Sequence, residues 1–366
     1  MKKILHVVLS LDIGGLEKVL INCVNKLNGA NYEHEIVALK GYSESFKALL
    51  PKGVSVTSFE KKEGNDLTVY GKFFRYLIKN KPDVVHTYNL STLELQIIAF
   101  LCRVKKRIHA EHGRDIFDPE GKNKKYKLLR RLVFPFVHNI IAVSNDLYRW
   151  LLEDINVSAN KLSLIVNGID TTHFKPNHAG ESRENVVFGH VGRLAEIKNQ
   201  QLLIKAFSIA SKADAEFNKR ARLEIVGDGS LKQELIDLIE NYQLPNSIRL
   251  LGAKINMLSE YHRFDAFVMS SLAEGIPMTL LEAMSCGIVP VATRVGGVPE
   301  VVSNENGFLY ESRDAQALAS ILRRLVHTPE LVERLGKSAR QTVVNRFSEN
   351  AMVRSYESLY QGAVRN

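Results

Sequence analysis

The sequence predicts an α/β fold of two domains, each built on a parallel β-sheet. Short apolar runs that suit buried strands alternate with stretches of helical periodicity, which is typical of parallel sheets covered by helices. The chain has 366 residues, which is long for one domain. Residues 1–180 hold 27 Lys and Arg against 18 Asp and Glu, whereas residues 181–366 hold 22 of each kind. This asymmetry supports two domains and points the first towards an anionic partner.

The composition excludes several classes of protein. A hydrophobic content of 45% and a charged content of 24% are those of a globular protein, and no apolar run reaches membrane-spanning length. Three widely spaced cysteines argue against a disulfide framework or a zinc site and fit a reducing cytosol. The first residues are expected to form a strand rather than a signal peptide.

Strand and helix signals alternate through the first half of the chain. We expect strands at residues 4–9, 35–39, 82–86 and 107–110, and helices at 69–79 and 91–101. Gly14 and Gly15 follow the first strand, and Glu17 lies in the first turn of the next helix. This arrangement lets a ligand approach the backbone closely, although an ordinary turn between a strand and a helix has the same pattern.

Two histidines, His86 and His112, fall at the ends of predicted strands, where parallel sheets gather their ligands. Gly113 gives the backbone freedom directly after His112. His112 either contacts a ligand or simply ends its strand. The next residue, Arg114, either contacts a ligand or pairs with Asp115. Both histidines are therefore candidates for a site at this edge of the first sheet.

A basic and apolar segment follows at residues 122–136. Its cations are Lys122, Lys124, Lys125, Lys127, Arg130 and Arg131, and leucine, valine and phenylalanine stand among and after them. Such a segment suits an anionic bilayer surface, and it equally suits a solvated helix whose apolar side packs on the core. Nucleic acid is disfavoured as a partner because no recognition fold accompanies the charge.

The first domain is expected to end near a turn at Asn167 and Gly168, which a polar stretch at residues 172–185 follows. We predict domains at residues 1–175 and 176–345, and a last helical segment at residues 346–366.

Two cations follow the first strand of the second domain. This strand ends at Gly192, and Arg193 and Lys198 lie in the loop before the next helix. Arginine binds phosphate oxygens as a planar fork and lysine binds them as a point charge. The two side chains together therefore suit a diphosphate group at the carboxyl edge of the sheet.

One loop and helix of the second domain is the most informative part of the chain. Glu274 opens a loop that contains Gly275 and Pro277. The following helix is expected to begin with Thr279 as its N-cap, and Glu282 lies about one turn inside. The N–H groups and the dipole of a helix N-terminus bind anionic oxygen, phosphate above all. Carboxylates beside phosphate are suited to accept hydrogen bonds from hydroxyl groups, such as those of a sugar or a ribose.

The run E-G-I-P-M-T-L-L-E-A-M at residues 274–284 resembles the signature of retaining glycosyltransferases of family 4. Shorter motifs are similar to that family as well: G-G-L-E at 14–17, N-G-I-D at 167–170, G-R-L-A-E-I-K at 192–198 and V-G-D-G at 226–229. The resemblance covers nearly the whole chain. It implies a GT-B fold, in which two Rossmann-like domains face each other with their parallel sheets across a cleft. It also implies that the last helix crosses back to the first domain.

The resemblance implies roles for individual residues. Glu274 and His112 would contact the donor sugar, Glu282 would hold the nucleotide ribose, and Arg193 and Lys198 would bind the pyrophosphate. The catalytic group is thus His112, Glu274, Arg193 and Lys198. The donor would further contact Gly14, Gly15, Gly192, Gly227, Ala253, Lys254, Gly275, Ile276, Pro277, Met278, Thr279 and Leu280. On the acceptor side we expect Glu17, His86, Arg114 and Asn167.

The implied reaction moves a sugar, with retention of configuration, from a nucleotide-diphospho-sugar to a hydroxyl group. The acceptor would be a lipid-linked or glycan precursor of a cell-surface polysaccharide, and the base of the donor stays open between UDP, GDP and ADP. No two aspartates are separated by one residue, so the D-x-D metal pair of other sugar transferases is missing and no metal or other cofactor is expected. The enzyme is expected in the cytoplasm, with peripheral contact to an anionic membrane through residues 122–131.

Two alternatives stay open at this point. A nucleotide-sugar 2-epimerase of the same fold would lack the E-x7-E run with its G-I-P core. A non-catalytic scaffold that binds a sugar nucleotide is disfavoured because Arg193, Lys198, Glu274 and Glu282 are all intact.

Overall fold

The computed structural model describes residues 1–12, 14–29, 31–64, 66–114, 118, 120–177 and 184–362. In it the chain forms two compact units, one made of residues 1–167 with 350–366 and the other of residues 168–349. Each unit contains one parallel sheet with helices in the connections between its strands. No helix in the described part of the chain is long and apolar enough to cross a bilayer.

The sheet of the first unit has the strand order β3-β2-β1-β4-β5-β6-β7. Its strands are β1 (Lys2–Leu11), β2 (Tyr32–Tyr42), β3 (Ser55–Ser58), β4 (Val84–Tyr88), β5 (Lys106–Glu111), β6 (Asn139–Ala142) and β7 (Leu162–Leu164). Its connecting helices are α1 (Gly15–Leu27), α2 (Glu44–Lys47), α3 (Thr68–Asn80), α4 (Leu90–Leu93), α5 (Leu95–Leu101), α6 (Lys124–Val133) and α7 (Asn145–Glu153). The order reverses between β1 and β4, where a sheet of this kind leaves room for a ligand at its carboxyl edge.

The sheet of the second unit has the order β10-β9-β8-β11-β12-β13. Its strands are β8 (Val186–Val191), β9 (Ala221–Val226), β10 (Ile248–Gly252), β11 (Ala266–Met269), β12 (Val289–Thr293) and β13 (Phe308–Tyr310). Its helices are α8 (Gln200–Ala213), α9 (Ala215–Arg220), α10 (Lys232–Asn241), α11 (Leu258–Tyr261), α12 (Met278–Ser285), α13 (Ala315–His327) and α14 (Pro329–Arg346). Single turns of 3-10 helix lie at Phe134–Phe136, Ala159–Lys161, Glu196–Lys198 and Val298–Glu300. This sheet reverses its order between β8 and β11.

Continuous apolar runs explain why the central strands form. Ile4, Leu5, Val7 and Val8 of β1 are fully buried, and so is every residue of β12. A strand of a parallel sheet is covered on both faces, and it therefore needs a nearly continuous apolar run, which in residues 4–9 only the buried His6 interrupts, rather than alternation. The prediction of two parallel α/β units is confirmed.

The last helix, α15 (Glu349–Gln361), belongs to the first unit. Tyr356 and Tyr360 of this helix are buried, and the Tyr360 hydroxyl lies 2.9 Å from Nδ1 of His86. Because β4 continues to Tyr88, the prediction that a strand ends at His86 is wrong. The imidazole of His86, on β4, is fully buried under α15 and does not open onto the edge of the sheet.

The first unit ends at residue 167, whereas the sequence placed a domain boundary after residue 175. Ile169 donates its N–H to the Phe347 carbonyl at 2.9 Å and accepts a hydrogen bond from the Glu349 N–H at 3.2 Å. A few residues on, the Phe174 carbonyl accepts a hydrogen bond from the Ser285 hydroxyl at 2.6 Å. These bonds hold the start of the predicted linker on the second unit, and residues 178–183 of that linker lie outside the described residues.

The single helix predicted over residues 91–101 is in fact two short helices, α4 and α5. They meet at Glu94, whose carboxylate accepts a hydrogen bond from the Tyr70 hydroxyl of α3. That partner lies 24 residues away, and local periodicity does not reveal it.

Candidate active site

The second unit brings Lys198 and Glu274 together where its sheet reverses direction. Lys198 follows β8 and Glu274 follows β11, and these strands are neighbours in the sheet. The Lys198 Nζ lies 2.5 Å from the Glu274 Oε1. Both side chains keep some exposure, 26% for the lysine and 12% for the glutamate. A positively charged and a negatively charged side chain are thus placed side by side at the carboxyl edge, where ligands of such sheets bind.

The two loops that carry this ion pair are joined by hydrogen bonds. The Leu272 N–H donates to the Ile197 carbonyl at 2.8 Å, and the Ser270 hydroxyl donates to the Lys198 carbonyl at 2.9 Å. Ser270 is fully buried. The backbone on both sides of the ion pair is therefore held by the fold rather than by the pair itself.

Two glycines are needed for the close approach of neighbouring loops. Gly227 has φ +146°, and a Cβ there would lie 1.9 Å from the Gly192 carbonyl oxygen. Gly296 has φ +49°, and a Cβ there would lie 1.8 Å from the Glu274 carbonyl oxygen. Any side chain at these positions would push the loops that contain Gly192 and Glu274 away from the edge of the sheet.

The helix after Glu274 begins slightly earlier than predicted. Its N-cap is Pro277 and its first residue is Met278, so the prediction of Thr279 as the N-cap is wrong. Pro277 has extended backbone angles and fixes the turn into the helix. The first helical bond runs from the Leu281 N–H to the Pro277 carbonyl at 3.3 Å. The N–H groups of Met278, Thr279 and Leu280 therefore have no acceptor within the helix, as an anion site requires.

Glu282 lies deeper than the sequence indicated. It is 1% exposed, and its Oε2 accepts a hydrogen bond from the Tyr261 hydroxyl at 2.6 Å. Burial, followed by the charge of Glu282, raises the pKa of Tyr261 well above its usual value, so the phenol stays protonated and donates. Tyr261 could not be predicted from the sequence, because it lies 21 residues before its partner in a short helix without a motif.

The other predicted donor contacts of this unit differ in exposure. Arg193 is exposed, and no residue in the described ranges accepts a hydrogen bond from its guanidinium. Ala253 and Lys254 are exposed in the loop after β10, whereas Gly275, Ile276 and Pro277 are buried. Arg193 and Lys254 thus offer positive charge to solvent near the ends of β8 and β10.

A buried histidine supports the loop after β8. His190 accepts at Nε2 a hydrogen bond from the Gln200 side-chain amide at 3.2 Å, and its Nδ1 donates to the Val268 carbonyl at 2.9 Å. Gln200 also donates to the Arg193 carbonyl at 2.8 Å. Burial lowers the pKa of His190 to about 4, and the nearby Lys198 lowers it as well, so the ring is neutral at pH 7.

In the first unit, the predicted residues lie after β1, β4 and β5. Gly14 is the N-cap of α1, and Glu17 in the first turn folds back over it. Gly15 is exposed at the start of the same helix. Asn167 is buried at the end of this unit. His86 lies inside the sheet, as described above, and does not join the residues at its edge.

His112 directly follows β5 and is held by its backbone. Its N–H donates to the Asn89 Oδ1 at 2.8 Å, while Asn89 itself adopts a positive φ of 57° after β4. Both ring nitrogens of His112 are buried, and neither has a hydrogen-bond partner within the described residues. Burial lowers the pKa of the ring to about 3, although the Glu111 carboxylate acts in the opposite direction. The imidazole is therefore neutral at pH 7. Asn89, the partner of the His112 backbone, was not predicted from the sequence.

Arg114 forms an ion pair across the unit. Its Nη1 lies 2.8 Å from the Asp146 Oδ2, and its guanidinium centre lies 5.6 Å from the centroid of the Trp150 ring. The alternative partner from the sequence, Asp115, lies outside the described residues. The side chain of Arg114 is thus engaged with α7.

The basic segment proves to be only partly a surface. Arg130 is 2% exposed and donates a hydrogen bond to the buried Glu111. The prediction that Arg130 belongs to the surface that contacts a membrane is therefore wrong. Arg131 bonds to the Asp154 and Ile155 carbonyls. Lys124 and Lys125 remain exposed, and so do Leu128 at 55% and Leu132 at 60%. An amphipathic outer face exists on α6, but it carries fewer cations than the sequence predicted.

The described residues contain no group of three or more His, Cys, Asp or Glu side chains arranged to hold a metal ion.

Two solved structures share the architecture over the whole chain. A glycosyltransferase from Rickettsia africae matches with a TM-score of 0.81 at 20% identity, covering 100% of this chain and 99% of that one. HepE from Anabaena, in complex with UDP-glucose, matches with a TM-score of 0.84 at 22% identity, covering 99% of this chain and 100% of that one. The protein thus has the GT-B fold of glycosyltransferases, and the predicted fold class is confirmed.

Comparison of sequences identifies the family of the chain. The UDP-Gal:alpha-D-GlcNAc-diphosphoundecaprenol alpha-1,3-galactosyltransferase of Escherichia coli is 31% identical over 312 residues, which are 80% of this chain and 79% of the relative. The N-acetyl-alpha-D-glucosaminyl L-malate synthase of Bacillus anthracis is 29% identical over 315 residues, 82% of this chain and 80% of the relative. The model for Glycosyltransferase Family 4 matches residues 13–173, and that for Glycosyl transferases group 1 matches residues 171–342. The chain therefore belongs to glycosyltransferase family 4, as its motifs predicted.

Proposed function

We propose that this glycosyltransferase moves a sugar from a nucleotide-diphospho-sugar to a hydroxyl group, with retention of configuration at the sugar. The observation that carries the proposal is the meeting of Lys198 and Glu274 beside the open N-terminus of α12. A cation and three helix N–H groups suit a diphosphate, and a carboxylate at the same place suits sugar hydroxyls. A nucleotide-diphospho-sugar is a molecule that carries both groups next to each other.

The base of the donor is proposed to be uracil. The E. coli relative is named for UDP-Gal, and HepE is in complex with UDP-glucose. The proposed acceptor is a lipid-linked or polysaccharide precursor, since the E. coli relative is named for a diphosphoundecaprenol acceptor and another relative, CapM of Staphylococcus aureus, for capsular polysaccharide biosynthesis.

In the proposed reaction, positive charge acts on the leaving group. Arg193, Lys198 and the N-terminus of α12 stabilise the negative charge that grows on the diphosphate as the sugar departs. Glu282 accepts hydrogen bonds from the ribose, and Glu274 accepts them from the donor sugar. His112, a neutral imidazole at pH 7, contributes a further contact to the sugar.

Retention is proposed to follow a front-face route. The bond between the anomeric carbon and the acceptor oxygen forms on the side where the bond to the phosphate oxygen breaks, and the acceptor proton passes to the leaving phosphate. This route needs no carboxylate nucleophile. It fits a site where Glu274 is proposed to accept hydrogen bonds from hydroxyl groups of the donor sugar rather than to attack the sugar. No metal is required, because protein cations already face the diphosphate.

The outer face of α6 is proposed to contact an anionic membrane peripherally. Lys124 and Lys125 supply charge, while Leu128 and Leu132 supply exposed apolar area beside it. Such contact would bring a cytoplasmic enzyme to a lipid-linked acceptor.

The proposal is tested with the purified full chain. A thermal-shift screen of UDP-, GDP- and ADP-sugars identifies the donor, because a ligand that binds only the folded state raises its stability. Transfer from that donor to a polyprenyl-diphosphate acceptor is then followed by chromatography, and the anomeric configuration of the product by NMR. An epimerised sugar nucleotide, an inverted product, or binding without turnover would each contradict the proposal.

A further inference from the structure

A buried ion pair contains the residue directly before His112, the histidine proposed to contact the donor sugar. Glu111 is the last residue of β5, and His112 follows it. Arg130 donates Nε to the Glu111 Oε1 at 2.6 Å and Nη2 to the Glu111 Oε2 at 3.1 Å. The Glu111 side chain is 0% exposed and the Arg130 side chain is 2% exposed. Replacing such a pair with apolar residues is often neutral or stabilising, because burial removes both charges from water. Stability alone therefore does not account for it.

We propose that Arg130 and Glu111 are positioning residues for sugar transfer, and that they fix the end of β5 so that the His112 ring keeps one orientation. The inference rests on the proposed function, since it takes His112 as a contact to the donor sugar. Neither residue touches the donor in this proposal. They act through the backbone that joins Glu111 to His112.

The His112 ring depends on its backbone for orientation. Both ring nitrogens lack a partner within the described residues, so no hydrogen bond shown there fixes the ring. The peptide N–H of His112 donates to Asn89, which fixes the peptide unit that joins His112 to Glu111. Glu111 is held in turn by its carboxylate, which accepts two hydrogen bonds from the planar guanidinium of Arg130. Such a fork restrains rotation as well as distance.

Glu111 is also joined to the neighbouring strand. His109 Nε2 lies 3.4 Å from the Glu111 Oε1, and His109 Nδ1 lies 2.8 Å from the Thr87 hydroxyl of β4. Gln96 of α5 donates to that hydroxyl at 2.7 Å. Burial alone would raise the pKa of Glu111, but the Arg130 charge and the His109 contact hold it at about 2, so the carboxylate is ionised at pH 7. A linked, buried polar network of this kind favours a single arrangement.

A tryptophan supports the segments on both sides of His112. The Arg130 guanidinium centre lies 4.9 Å from the centroid of the Trp150 ring, and that of Arg114 lies 5.6 Å from it. Trp150 in turn donates Nε1 to the Gly121 carbonyl at 3.1 Å. Arg130, which bonds to Glu111 before the turn, and Arg114, which follows the turn, therefore share one rigid aromatic support, and this limits how far the turn can move.

The test removes both charges together, because removing one would leave the other buried and uncompensated. In the variant Glu111→Gln/Arg130→Met we expect a folded protein that binds UDP like the parent. Its kcat should fall on the order of 100-fold at unchanged KM for the donor, because the ring is misplaced rather than the donor lost. The Arg130→Lys variant keeps the charge without the fork, and its kcat should be intermediate.

A second measurement does not depend on activity. Hydrogen exchange of the His112 amide should be about tenfold faster or more in the charge-free variant, because its neighbour is no longer held. The matched control is Arg107→Met, at the other end of the same strand. Arg107 bonds to the Phe136 and Val104 carbonyls at 2.6 and 2.7 Å and not to Glu111. In this control, kcat and His112 exchange should match the parent.

Two results would overturn the inference. The first is a charge-free variant with unchanged exchange at His112, which would show that the pair does not hold the turn. The second is faster exchange with kcat within about twofold of the parent, which would show that the turn does not matter for transfer. A parent protein that transfers no sugar would instead contradict the proposed function, and the exchange measurement would still decide whether the pair fixes His112.

Discussion

Replacing Tyr261 with phenylalanine removes one hydroxyl group from the buried partner of Glu282. The two side chains are 0% and 1% exposed, and the hydrogen bond between them is 2.6 Å long. A hydrogen bond to a charged group contributes about 1.5–3 kcal/mol, and water cannot replace the lost donor at a site this buried. We therefore expect Tyr261→Phe to lower the free energy of unfolding of the second unit by about 1.5–3 kcal/mol.

The same change should weaken nucleotide binding if Glu282 holds the ribose. A carboxylate that has lost a donor is less well oriented, and we expect the affinity for UDP to fall about tenfold, which corresponds to about 1.4 kcal/mol. Glu282→Gln should reduce the affinity for UDP by about 1.5–3 kcal/mol, because the ribose hydroxyls lose their charged acceptor. In the Glu282→Gln background, Tyr261→Phe should have little further effect on binding, since the carboxylate it oriented is gone.

Isothermal titration with UDP on the parent, both single variants and the double variant completes this cycle. The control is Tyr310→Phe, because Tyr310 is also buried in the same unit but donates to a backbone carbonyl, that of Met269, at 3.0 Å. It should lower stability without changing UDP affinity. If the binding losses of Tyr261→Phe and Glu282→Gln simply add, Tyr261 does not act through Glu282. If Glu282→Gln binds UDP like the parent, the ribose role is wrong.

Further predictions concern turnover, metal, pH and membranes. Glu274→Gln should lower kcat while UDP still binds, which a turnover assay beside titration with UDP checks. Turnover should persist in excess EDTA, and activity that returns only with Mg²⁺ or Mn²⁺ would contradict metal independence. Burial lowers the pKa of His34 to about 4, so the unfolded chain binds a proton between pH 6.5 and 4 that the folded chain does not. The contribution of His34 to the free energy of unfolding should therefore be fully present above pH 6.5 and fall by about 1.4 kcal/mol per pH unit below it. Trp150 fluorescence during urea unfolding measures the free energy of unfolding at each pH. In His34→Gln, this free energy should depend less steeply on pH. Exchanging Lys124 and Lys125 for Gln should abolish salt-sensitive co-sedimentation with anionic vesicles, and unchanged co-sedimentation would remove α6 from the membrane contact.

Much of the fold follows from local patterns. The strand at 4–9 and the helix at 69–79 were predicted within a few residues, because unbroken apolar runs and helical periodicity depend on nearby residues alone. The pairing of Lys198 with Glu274 was not predicted, although both were chosen as site residues. Their meeting depends on β8 lying beside β11, and strand order is a property of the whole sheet.

What the sequence could not reveal depends on distant partners. Arg130 looked like one of six surface cations, and only the position of Glu111 on β5 draws it inwards. His86 looked like a strand-end residue, but α15 covers it with tyrosines from the far end of the chain. Thr279 was a good N-cap by type, yet Pro277 fixes the backbone two residues earlier. For Arg130 and His86, an element that is remote in sequence decides the position of the side chain, whereas for Thr279 a neighbouring proline decides where the helix begins.

The ion pair between Lys198 and Glu274 gives the proposed reaction a further physical consequence. Without a donor, each side chain neutralises the other at 2.5 Å. A diphosphate offers Lys198 a stronger partner, since it carries more negative charge than one carboxylate. In the proposed complex Glu274 would then accept hydrogen bonds from the sugar hydroxyls. Binding would thus exchange one ion pair for two matched contacts, so that neither charge would be left uncompensated. Diphosphate and sugar would be recognised together, and a nucleotide without its sugar would satisfy Lys198 but leave Glu274 to water.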